Sequence, residues 1–76
     1  MHTQKMSDYV PANQAAAILG ISAETLRYWR FSGKHLDALT PYVYVNRKVY
    51  YKRTDVERFV DANMTAVFQR HDESLA

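Results

Sequence analysis

Two glycines are all the chain has, Gly20 and Gly33, and their placement limits its fold more than any other feature. Residues 12–19, ANQAAAIL, are rich in good helix formers, with Ala16 and Leu19 on one face and Ala15 and Ile18 beside them. Gly20 follows at once, the residue type that closes a helix in the left-handed conformation without steric cost. After one apolar residue, Ile21, Ser22 is placed to cap a second helix with its side-chain oxygen. That helix, AETLRYWRFS, carries Glu24 in its first turn, where a carboxylate suits the positive end of the helix dipole, and it runs to Gly33. Leu26 and Trp29 lie three apart on one side and belong to the core.

Two helices joined by so short a glycine turn must cross, which defines a helix-turn-helix. Ala16 stands four residues before Gly20, where a small side chain allows a close crossing. Ile21, Leu26 and Trp29 then supply its buried side, and Ala23, Glu24, Arg27, Tyr28, Arg30 and Phe31 point outward. Residues 34–41 form a connector ended by Pro41. The runs YVYV and VYYK around Asn46-Arg47-Lys48 have the signature of a β-hairpin, with Asn46 the residue suited to positive φ and Val45 opposite Val49. This pairing puts Val43, Val45, Val49 and Tyr51 on one face and Tyr42, Tyr44, Tyr50 and Lys52 on the other. Thr54 and Glu57 have capping-box spacing and open a third helix through Val56, Phe59 and Val60. The expected fold is mainly α with a small hairpin: a winged helix-turn-helix over residues 9–63. A loose arm (1–8) precedes it, and a tail (64–76) follows that either extends the helix, docks on a partner or stays disordered.

Composition removes whole classes of function. Seventy-six residues allow one small domain. Without cysteine there is no disulfide, thiolate metal site or cysteine nucleophile, and His2, His35 and His71 lie far apart with no carboxylate at ligand spacing. No nucleophile–base pair and no phosphate-cradling glycine loop is present, so no enzyme, cofactor, metal or small-molecule ligand is expected. No apolar run approaches a membrane span and no signal-peptide core is present, which predicts a cytoplasmic protein. The net charge of +2 says little, but its distribution says more: residues 25–53 carry +6 and the remainder −4. Positive charge gathered in one stretch projects a field toward a polyanion.

The segments YVPANQAAAILGISAETLRYWR and PYVYVNRKVYYKRTDVERFV resemble the winged helix-turn-helix of the MerR-like superfamily. The resemblance is to its small single-domain branch, which includes phage and mobile-element excisionases and AlpA-type regulators. Pro11 and Ala12 stand where that family has a Thr-Pro helix start, and Asn46 where it has a wing glycine. Arg47 and Lys48 match its basic turn, and Thr54 and Asp55 its last helix start. The stretch from Gly33 to Pro41 is longer than the usual link. The resemblance implies sequence-specific duplex DNA binding with a role in excision, in transcription, or in both.

The candidate DNA-contacting residues are Ser22, Ala23, Glu24, Thr25, Arg27, Tyr28 and Arg30 on the second helix. Asn46, Arg47, Lys48, Lys52 and Arg53 join them from the wing and its exit. Arg27 is suited to a bidentate guanine contact in the major groove, and Arg47 and Lys48 to backbone or minor groove. A domain this small covers one half-site, so the expected partners are duplex DNA and further copies of itself, binding cooperatively and bending DNA, with a site-specific recombinase as a third. Two alternatives remain open: a DNA-binding adaptor such as a phage terminase small subunit, and a protein-interaction module anchored by Tyr42, Tyr44, Tyr50 and Phe68.

Overall fold

The strand Val49–Lys52 organises the computed structural model, which describes residues 5–67. In chain order the elements are β1 (Tyr9–Pro11), α1 (Ala12–Leu19), α2 (Ala23–Ser32), β2 (Pro41–Val43), β3 (Val49–Lys52) and α3 (Arg53–Asn63). β3 is central in an antiparallel sheet of order β1-β3-β2, with Val10 and Pro41 both opposite Tyr51. Three helices and a small sheet give the mainly helical winged helix-turn-helix that the glycine spacing predicts. β1 is an addition to the expected two-stranded wing. A strand of three residues ending in proline is too short to show alternation, and its partner lies some forty residues downstream.

Val10, Ala15, Ala16, Leu26, Leu39, Tyr51 and Val56 form the core, each at most 3% exposed. The alanine pair of α1 leaves room for Leu26 of α2, and Leu19, Ile21, Trp29, Val49 and Phe59 close around them. Gly20 has φ 75° and donates its N–H to the Ala16 and Ala17 carbonyls, while Ile21 donates to Ala16 at 3.0 Å. A Cβ on Gly20 would meet nothing within 4 Å, so the backbone conformation alone calls for glycine. Ser22 caps α2 as expected, its Oγ accepting the Thr25 N–H at 3.1 Å.

The long link after Gly33 is held by two residues that the hydrophobic pattern does not single out. His35, at φ 63°, sets its ring 4.7 Å from Trp29 and 5.0 Å from Phe59. Leu39 is buried with the core. The link thereby ties α2 to α3 and delivers Pro41 to the sheet edge.

Three local expectations are corrected. The hairpin turn occupies residues 45–47, not 46–48: Tyr44 donates to Lys48 at 3.1 Å, Arg47 donates to Tyr44 at 2.9 Å, and Val43 instead of Val45 pairs with Val49. Asn46 commits its side chain to the turn, its Oδ1 accepting the Lys48 N–H at 3.0 Å and its Nδ2 donating to the Tyr50 hydroxyl at 3.2 Å. The positive φ falls on Arg47 instead, at 67°. Because the partner shifts by two, the β3 side chains keep their assigned faces. Val43 and Val45, however, are 69% and 87% exposed, so that the face they were expected to share is covered only at Val49 and Tyr51.

The second correction concerns α3. Its cap is Lys52, which makes no side-chain hydrogen bond, so Thr54 and Glu57 form no capping box. Lys52 is still paired in β3 opposite Tyr9, and this extended residue leads directly into the helix, placing Thr54 inside the first turn. Third, the expected loose arm begins its order early: Met6–Asp8 form a 3₁₀ turn, with the Lys5 N–H on the Asp8 carboxylate at 2.9 Å. Residues 64–67 are exposed and outside any helix or strand. The rest of the expected arm and tail, Phe68 included, lies outside the described residues.

Leu26→Ala is expected to destabilise the domain by about 2–5 kcal/mol, a large share of the total for a chain of this size. Gly20→Ala, with no contact to disturb, should cost only about 1 kcal/mol through the αL backbone. Urea unfolding followed by circular dichroism measures both, and equal losses would contradict this account of the turn.

Candidate nucleic-acid interface

With Leu26 and Trp29 turned inward, α2 leaves Ala23, Glu24, Arg27, Tyr28 and Phe31 exposed. Tyr28 is 65% and Phe31 70% exposed, so neither is consumed by the link that follows. Beside this face runs an open groove between α2, the start of α1 and the wing. Arg27, Arg30 and Lys48 line it together with Ala23 and Asn13, and Leu26, Val49 and Tyr51 form its floor. Cations from the helix and from the hairpin, eighteen or more residues apart in the chain, thus share one concave surface. Asn13 joins the lining without being marked by the charge or hydrophobic pattern of the sequence. The only available signal was its place in the first turn of a helix entered through Pro11.

The groove lining carries cations and no carboxylate, with Glu24 exposed near it at the start of α2. Among the described residues the one ion pair is Arg58 with Asp55, at 3.7 Å on α3. Arg27, Arg30, Lys48 and Arg47 therefore have no carboxylate partner there, and their charge is available to a polyanion. Arg30 is half-buried and adds its field at the Tyr51 hydroxyl. Burial pushes that phenol above the usual tyrosine range, and the Arg30 guanidinium pulls partly the other way. Both guanidiniums of α2 also lie on the Phe31 ring, Arg30 Cζ at 4.6 Å and Arg27 Cζ at 5.8 Å from its centroid.

The remaining candidates divide. Ser22 and Thr25 bind each other at the helix start, Oγ to Oγ1 at 2.9 Å, and Asn46 holds the hairpin turn. These three build the elements that carry the cations. Arg47 sits exposed at the wing tip, outside the groove lining. Lys52 is not brought to this surface. Strand alternation turns it to the outer face of the sheet, where its Nζ lies 5.7 Å from the Tyr42 ring. Arg53, half-buried, opens α3 and does not line the groove. The outer face gathers tyrosines instead: Tyr9 meets Tyr42 edge-on at 5.7 Å, and Tyr44 meets Tyr50 at 6.1 Å.

A short turn between crossing helices, an exposed cationic second helix and a basic hairpin beside it are the parts of a DNA-binding helix-turn-helix protein. Comparison with known families agrees: residues 12–64 match the family described as helix-turn-helix domain, and the chain belongs to it. No curated protein matches the chain, and no solved structure does. Among the described residues no helix is long and apolar enough to cross a membrane.

Arg47 occupies an αL position where glycine would be less strained, a placement that favours charge at the tip over stability. Arg47→Gly is expected to raise stability by about 0.5–1 kcal/mol, relief of strain being offset in part by unfolded-chain entropy. It should at the same time weaken binding to every duplex alike. Thermal unfolding and a binding titration on one preparation check both signs; a destabilised variant would remove the strain argument.

Proposed function

We propose that the protein binds specific duplex DNA, with α2 in the major groove and the wing tip on the adjoining backbone or minor groove. The observation that carries this reading is the shared groove of Arg27, Arg30 and Lys48 beside the exposed face of α2. Arg27 donates to guanine O6 and N7, while Lys48 and Arg47 neutralise phosphates and set the register. Neither Lys52 nor Arg53 lines the groove, and Lys52, on the opposite face of the sheet, takes no part in this reading.

The wider role is an excisionase, a small transcription regulator of a phage or mobile element, or both. Support comes from the MerR-like pattern of the chain and from its family. One domain covers about one half-site, and useful specificity then requires several protomers bound side by side, whose wings would bend the DNA. On this reading a site-specific recombinase is the protein partner in excision. The tyrosine cluster on the outer sheet face favours a second reading, a protein-interaction module, which is separated from the first by its lack of duplex binding at low salt.

Binding to a duplex selected from a random library provides the test. If Arg30, Arg47 and Lys48 meet phosphates, log K falls with log salt at a slope of about −2.7, roughly fortyfold between 50 and 200 mM. Arg27→Ala should lose about 1–3 kcal/mol of discrimination at one base position. A uniform loss across sequences would confine Arg27 to phosphate, and no binding at low salt would overturn the reading. A footprint on the DNA flanking the gene, read for repeat spacing, examines the array.

A further inference from the structure

We infer that Phe31 reads the 5-methyl group of a thymine lying within two base-pair steps of the guanine met by Arg27. The inference rests on the DNA-binding reading and names a base contact within it. Phe31 is 70% exposed on the same side of α2 as Arg27, one helical turn further on. Its ring receives the Arg30 guanidinium at 4.6 Å and the Arg27 guanidinium at 5.8 Å, so the aromatic surface organises the two cations of the reading helix. The ring itself can neither donate nor accept an ordinary hydrogen bond. In the major groove one base-edge feature is apolar, the thymine methyl, and a phenyl group is among the side chains that contact it.

The spacing sets where that methyl must be. Four residues of helix advance about 6 Å along the axis. Base pairs are stacked about 3.4 Å apart along each strand. With Arg27 on a guanine, Phe31 therefore faces a base one or two steps away. Arg27 and Phe31 together thus select a short sequence, a guanine with a thymine nearby, where Arg27 alone would select a single base.

The experiment uses the full chain and a duplex selected from a random library, with each thymine replaced in turn by deoxyuridine, which lacks only the methyl. Wild type is expected to bind one such duplex about fourfold more weakly, the weight of one buried methyl group. That position should fall within two steps of the guanine at which Arg27→Ala loses discrimination. Phe31→Ala should bind the thymine duplex more weakly by a similar factor and be indifferent to the replacement. Phe31→Leu, which keeps an apolar contact but no ring, should remain methyl-sensitive. A duplex whose thymines are all insensitive overturns this inference and leaves the DNA-binding reading intact, as does a Phe31→Ala variant that keeps full sensitivity. A chain that selects no duplex overturns both. Circular dichroism confirms that each variant is folded, which the exposure of Phe31 leads one to expect.

Discussion

The burial of Tyr51 is the contact on which the rest of the molecule depends. Its backbone pairs with Val10 on one side and Pro41 on the other, so one residue ties both edge strands to the centre of the sheet. Its ring, 2% exposed, lies in the core with Leu26, the alanine pair of α1 and Val56. An aliphatic residue could fill some of that volume, but a phenol has a polar end that must not be left in the interior. The side chain also lines the basic groove, close enough to Arg30 for the guanidinium to act on its ionisation. The core and the basic groove therefore share Tyr51, together with Leu26 and Val49.

What could be read from the sequence follows the range over which each signal acts. Gly20, Ser22 and Gly33 act on their own backbone, and the two helices they bound lie where those residues place them. The exposed side of α2 was equally legible, because Leu26 and Trp29 settle which way the helix turns. β1 was not legible, since Tyr9–Pro11 become a strand only by pairing with β3, a long-range event that three residues cannot announce. Nor were His35 and Leu39, whose burial depends on Trp29, Phe59 and the core rather than on any local period. The hairpin shows a competition between two local preferences: Asn46 suits positive φ, but its side chain also suits a turn hydrogen bond, and the second use won.

At the wing tip, the same outcome leaves Arg47 in a backbone conformation that few side chains adopt. Around it, the turn is over-determined: the Lys48 N–H is fixed by Asn46, the Tyr44 N–H by the Lys48 carbonyl, and the Arg47 N–H by the Tyr44 carbonyl. These bonds hold the tip against its strain and aim the charge. A glycine there would suit the backbone better and carry nothing. A cation kept at a strained tip is intelligible when the tip has to meet a polyanion, and the nearby Lys48 in the groove extends the same positive surface inward toward α2.

Strand alternation then divides the candidate residues between two sides of the sheet, a result that charge counting along the chain could not foresee. Val49 and Tyr51 must face the helices, so Tyr50 and Lys52 must face away, whatever their charge. Lys52, counted with the basic stretch, consequently lies by Tyr42 among the tyrosines and not beside Arg27. The field of the protein is thus narrower than its sequence suggests. It arises from α2 and the hairpin tip on one side, while the outer face is aromatic with lysines at its edge. A duplex seated on Arg27, Arg30 and Lys48 would leave that tyrosine face turned away from the DNA. The restriction to few cations sharpens the demand on base contacts, because a small electrostatic footprint binds all sequences weakly and leaves discrimination to the side chains that α2 presents.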